Sequence, residues 1–92
     1  VALSFNQPLQ HWDVSKVHTM NRTFFDALSF NQPLGNWNVS NVRTMEALFN
    51  GAASFNQPIQ SWNVTNVDNM AFMFRRSGFN QPIELWDTSR VT

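Results

Sequence analysis

The residues with any capacity for chemistry are few, and their spacing decides what they could do. His11 and His18 stand seven apart and recur nowhere else in the chain, which is no metal-ligand spacing. No serine stands with a histidine and an acid in a suggestive arrangement, and three glycines leave no room for a phosphate-cradling loop. The sequence therefore offers no catalytic, cofactor or metal residues. Asp13, Asn38, Asn63 and Asp87 recur at one interval, a row of side-chain acceptors in which the charge is optional. No second carboxylate stands beside them at fixed spacing, so turn or cap chemistry fits them better than calcium. Asn21-Arg22-Thr23, Asn38-Val39-Ser40 and Asn63-Val64-Thr65 fit the N-glycosylation acceptor pattern; the last two fall where a strand is expected.

These positions sit inside a repeat. Phe5, Phe30, Phe55 and Phe79 are 25, 25 and 24 residues apart, as are Trp12, Trp37, Trp62 and Trp86. Val17, Val42 and Val67 keep the interval, and so do Met20, Met45 and Met70, and Phe24, Phe49 and Phe74. The hexapeptide Ser-Phe-Asn-Gln-Pro-Leu at 4–9 returns at 29–34, and with small changes at 54–59 and 78–83. The units run near 4–28, 29–53, 54–77 and 78–92, the third one residue short. The chain 1–92 reads as one segment that starts and stops inside its own pattern, an expectation of a longer array.

Bulk composition narrows the classes. Hydrophobic content of 42% and aromatic content of 14% suit a packed chain rather than a disordered tail. Six basic residues balance six acidic ones, which argues against nucleic acid and against a polybasic membrane patch. The longest apolar run, Met70 to Phe74, falls far short of the roughly 18 residues a membrane span needs. Without cysteine there is neither a disulfide framework nor a thiolate metal site.

Within a unit the apolar period changes. Trp12 and Val14 alternate as on a strand, while Val17, Met20, Phe24 and Ala27 follow at three, four and three, the stripe of a short helix. Thr19, Thr44 and Asn69, or the earlier Ser15, Ser40 and Thr65, could cap that helix. Proline three residues after each Phe of the hexapeptide stops it. One strand and one helix cannot bury their own stripe, but stacked units can. The expected fold is an α/β repeat solenoid with one short strand and one short helix per unit. Its core would hold Phe5, Trp12, Val17, Met20 and Phe24 with Phe30, Trp37, Val42, Met45 and Phe49. Phe55, Trp62, Val67, Met70, Phe74, Phe79 and Trp86 complete it. Asn6, Asn31, Asn56 and Asn80 would form an asparagine ladder that satisfies main-chain groups at a corner.

The string Phe-Asn-Gln-Pro-Leu-x-x-Trp-Asp-Val-Ser-x-Val-x-x-Met, followed by x-x-x-Phe-x-x-Ala, resembles the repeat of BspA-like leucine-rich-repeat surface proteins. Mycoplasma lipoproteins and listerial surface proteins carry the same repeat. The resemblance covers residues 2–92 and implies a leucine-rich-repeat-like right-handed coil, a cell-surface or secreted location and adhesion or protein binding, with no catalytic residues to carry over. Small departures are Thr23-Phe24 and Leu48-Phe49 in place of the usual Met-Phe pair that Met73-Phe74 keeps.

Function should then lie where the units disagree. His18, Arg22, Arg43, Glu46 and Asp68 are the candidate interaction surface on a non-enzymatic protein-binding module. Its partner would be another protein, within a larger multi-subunit assembly in the alternative reading of a purely structural segment. Carbohydrate or ice binding through the repeated Trp, Asn and Thr positions is a third reading.

Overall fold

A computed structural model describes residues 4–92. The chain advances by turns. Trp12, Trp37, Trp62 and Trp86 each donate their N–H to the carbonyl three residues back, at 3.0–3.1 Å. Val17, Val42 and Val67 do the same to Val14, Val39 and Val64 at 3.0 Å.

The α/β repeat solenoid expected from the sequence is not what the chain forms. Among the described residues there is no helix, and pairing of strand type is limited to the isolated parallel bridges Thr19–Thr44 and Thr44–Asn69. Trp12 to Val14 and its counterparts are not strands either. The body is mostly turns and coil, with extents of 34 × 26 × 21 Å. Its Cα radius of gyration, 12.1 Å, matches the roughly 12 Å of a compact globule of this length.

Two consecutive turns stand where the helix was expected. Thr23 donates its N–H to Met20 O and Ala27 to Phe24 O, with Arg22 (φ 58°) and Asp26 (φ 56°) at the third positions. A left-handed residue there is the type II arrangement. The second unit repeats this with Ala47 (φ 54°) and Gly51 (φ 79°), and the third with Phe72 and Arg76 (both φ 58°). Residues three and four apart meet on the inner side of such turns as they would on a helix. The apolar spacing of three, four and three therefore fits both.

Energetics favours the turns because they free alternate N–H groups for the neighbouring unit. Met20, Arg22, Phe24 and Asp26 donate to Thr44, Glu46, Leu48 and Asn50 carbonyls at 2.8–3.0 Å. Met45, Ala47, Phe49 and Gly51 donate to Asn69, Ala71, Met73 and Arg75 at 2.8–2.9 Å. A helix would keep all these bonds within one unit and leave the units to pack by side chains alone.

Identical side chains meet across this register. The Phe5, Phe30, Phe55 and Phe79 rings stack at 5.9–6.0 Å, and Phe24, Phe49 and Phe74 at 5.6–5.9 Å. The two columns touch, Phe49 lying 4.1 Å from Phe55. Phe30, Val42, Met45, Phe49, Phe55 and Val67 are wholly buried. Trp37, Trp62 and Trp86 are buried with each indole N–H donating to the carbonyl of Leu9, Leu34 or Ile59 in the unit before, at 2.9–3.1 Å. That bond removes the cost of burying the indole nitrogen.

Trp12 departs from the expected core: it is 62% exposed, because no described unit precedes it to accept its indole. Phe5, Val17, Met70, Phe74 and Phe79 are half-buried for the related reason that they lie at the ends of the stack. The shortened third unit closes tightly, and Gly78 donates its N–H to Ala52 O at 3.2 Å. A β-carbon on Gly78 would run into the Ala53 carbonyl, so the serine of the other hexapeptides does not fit.

Candidate functional site

The corner at Phe-Asn-Gln-Pro is built by side chains. Asn31 donates its backbone N–H to Asn6 Oδ1 at 2.9 Å, Asn56 to Asn31 Oδ1 at 3.0 Å, and Asn80 to Asn56 Oδ1 at 2.8 Å. Gln32, Gln57 and Gln81 donate from Nε2 to the same oxygens at 3.0–3.1 Å. Asn6, Asn31 and Asn56 thus each serve the next unit. Replacing Asn31 by leucine removes the acceptor of Asn56 N–H and Gln57 and should cost about 1–2 kcal/mol. Asn31→Asp keeps the acceptor and should cost less than half as much by urea unfolding, and equal losses would contradict the ladder.

Asp13 Oδ1 accepts from the Ser15 hydroxyl at 2.6 Å and from its N–H at 3.0 Å. Asn38 and Asn63 take the same bonds from Ser40 and Thr65. Asn38 and Asn63 lie exposed outside any strand, correcting the expected placement of those two acceptor sequences. The Ser15 hydroxyl first, then its N–H, holds the Asp13 carboxyl below the usual Asp value. The Ser89 hydroxyl and N–H do so for Asp87, Arg90 adding a smaller push.

A lowered carboxyl in the folded chain means that the unfolded chain binds more protons. The stabilisation is complete above the ordinary Asp range, about pH 4, and is lost as pH falls through the lowered value. Urea midpoints should fall on acidification below about pH 4. The double variant Asp13→Asn, Asp87→Asn should fall less, since Asn38 and Asn63 make these bonds without charge. An identical acid profile in the variant would contradict this assignment.

The five candidate interaction residues separate into two groups. His18, Arg43 and Asp68 occupy one repeat position and lie in successive units, joined by Arg43 N–H to His18 O at 2.9 Å and Asp68 N–H to Arg43 O at 2.8 Å. They line a groove of about 280 Å³ with Asn41, Asn66 and Arg90. Asn41 and Asn66 donate from Nδ2 to Ser15 O and Ser40 O, both at 2.8 Å, which pins the floor. His18 Nδ1 lies 3.3 Å from Asn41 O. Arg90 was not among the candidates; its membership is legible from the repeat position it shares with Lys16, Asn41 and Asn66.

Arg22 and Glu46 lie apart, on the turn ladder. Arg22 donates its backbone N–H to Glu46 O, and its guanidinium stands 5.2 Å over the Phe25 ring. Asn21 Oδ1 accepts from Thr44 Oγ1 at 2.7 Å and from Glu46 N–H at 2.9 Å, so its side chain is tied to the second unit. Among the described residues no group of three or more His, Cys, Asp or Glu is placed to hold a metal ion. None of these residues forms a helix long and apolar enough to cross a membrane.

No curated protein and no solved structure matches the chain. One family model does, over residues 1–92, and its description is "Mycoplasma protein of unknown function". A chain whose whole length carries the repeat, and whose whole length the model covers, belongs to that family, DUF285.

Proposed function

We propose that the chain is a non-enzymatic protein-interaction module, in which the repeated residues build the body and the unrepeated ones form a binding face. The observation that carries this reading is the groove: His18, Arg43 and Asp68 differ in chemistry, yet they share one repeat position and line one depression. The buried aromatic positions at the same interval do not vary this way; Phe30 and Phe55, or Trp37 and Trp62, are identical. Variation on an invariant frame is how repeat proteins present binding surfaces. The resemblance to BspA-like surface proteins supports adhesion as the setting and a cell-surface or secreted location.

A photo-crosslinking residue placed at position 43 of the intact protein tests the reading. It should capture a defined protein that the same probe at position 60 does not, and capture should fall on His18→Ala. Equal capture from both positions, or contacts made only by repeated residues, would overturn it. The unbroken phenylalanine and asparagine columns favour a second reading, a structural segment packed within a larger assembly. Sugar binding on a tryptophan platform loses its basis, since Trp37, Trp62 and Trp86 are buried.

A further inference from the structure

We infer that the groove between His18 and Arg90 is a receptor for a single carboxylate of the partner, held by the guanidinium groups of Arg43 and Arg90. The inference rests on the interaction-module reading and names the chemistry of its contact. The groove lining carries an excess of positive charge on a chain whose formal charge is zero: Arg43 and Arg90 stand against one lining acid, Asp68, while Asp87 lies outside the lining and feels Arg90 only weakly. Among the described residues neither guanidinium donates a hydrogen bond to protein, and Asp68 forms no ion pair with either. Two planar donor forks that their own chain leaves unused favour a planar bidentate acceptor.

Other groups in the groove are already committed. The Asn41 and Asn66 amide nitrogens are spent on Ser15 O and Ser40 O. The main chain of the row is also used, for Thr92 donates its N–H to Asp68 O at 3.2 Å and its hydroxyl at 3.3 Å. What remains uncommitted among the charged side chains is the two guanidinium groups and the Asp68 carboxylate. About 280 Å³ is just under the roughly 300 Å³ at which small-molecule pockets begin, room for one side chain or a chain terminus rather than a large ligand. Asp68, in the unit between those that carry Arg43 and Arg90, disfavours a second negative charge nearby, which selects an isolated carboxylate over a dense acidic run.

The test uses the whole 92-residue chain and three peptides. Acetyl-Gly-Glu-Gly-amide carries one side-chain carboxylate, acetyl-Gly-Gly-Gly with a free C-terminus carries a terminal one, and acetyl-Gly-Gln-Gly-amide carries none. Arginine Nε–H and backbone amide resonances are followed by NMR during titration. A carboxylate peptide should move the Arg43 and Arg90 Nε–H signals saturably while leaving Arg22, Arg75 and Arg76 in place, and the glutamine peptide should not. Whichever carboxylate peptide binds identifies the source. Affinity should fall about tenfold or more in Arg43→Gln, Arg90→Gln, the scale of lost charge-assisted hydrogen bonds, and rise in Asp68→Asn. Both arginines are exposed, so an unchanged spectrum elsewhere shows that the variant folds.

Shifts spread evenly over all arginines, binding unaffected by the double variant, or equal binding of the glutamine peptide would overturn the carboxylate receptor. Absence of binding by either carboxylate peptide would do the same. If crosslinking from position 43 still captures a protein in that case, the module reading stands and only the carboxylate falls. Carboxylate binding without any captured protein would have the opposite meaning.

Discussion

Phe55→Ala should lower stability by about 3–5 kcal/mol, the largest loss expected of any single truncation in this chain. Phe55 is wholly buried where the two aromatic columns meet, 4.1 Å from Phe49 and 6.0 Å from both Phe30 and Phe79. Removing its ring opens a cavity lined by three other rings. Those rings are held by backbone bonds between units, so they cannot collapse into the space without breaking register. For a chain of this size each 1 kcal/mol moves the melting temperature by about 4–8 °C, so the midpoint should drop by more than about 12 °C. Phe5→Ala is the informative contrast. Phe5 stacks on Phe30 alone and is half-buried, so its loss should be roughly half as large or less. Similar losses at positions 5 and 55 in thermal unfolding would contradict a core concentrated in the middle units.

Gly51→Ala ranks second, at about 2–4 kcal/mol, and its cost comes from two sources. Gly51 holds φ 79°, a conformation that costs a side-chain-bearing residue about 1–2 kcal/mol. Asp26 and Arg76 bear that strain at the equivalent turn position in their own units, so strain alone does not require glycine. The second source is Asp26: a β-carbon on Gly51 would overlap its carboxylate oxygen and come within 3.2 Å of its Cα. Asp26 in turn donates its N–H to Asn50 O at 2.8 Å, which holds it over the second unit. A double-mutant cycle separates the two. Asp26→Gly should remove most of the overlap term and leave the backbone term, giving a coupling of about 1 kcal/mol or more. Purely additive effects in urea unfolding would show that the two residues do not meet as described.

How much of this is legible in the sequence differs by level. The register is: phenylalanine, tryptophan and asparagine recurring at 25, 25 and 24 can meet their own kind only if the units align. The asparagine corner follows from the amide's ability to accept where the turn leaves an N–H unpaired, and the tryptophan burial from its fixed place beside a valine. The local conformation is not legible. Val17, Met20, Phe24 and Ala27 share an inner face in a helix and in paired turns alike, so spacing cannot choose between them. The residue types give no warning either. Arg22, Asp26, Ala47, Phe72 and Arg76 adopt the left-handed conformation, where glycine or asparagine would have marked a turn; only Gly51 carries that mark.

What decides for turns is the demand of the next unit for alternate N–H donors, a requirement between residues 24 apart that no local window contains. The groove shows the same split. His18, Arg43 and Asp68 stand out because the units disagree there, but Arg90 enters only when repeat positions are followed into the fourth unit. Arg22 and Glu46 stand out equally in sequence and lie elsewhere.

Alternate amides of the turn segment bond to the neighbouring unit instead of to their own, and the whole register depends on this. Couplings measured across hydrogen bonds by NMR on the labelled chain address it directly. The structure predicts that Met45, Ala47 and Phe49 N–H couple to the carbonyls of Asn69, Ala71 and Met73. Couplings from Met45 to Asn41 and from Phe49 to Met45, four residues back as in a helix, would contradict it.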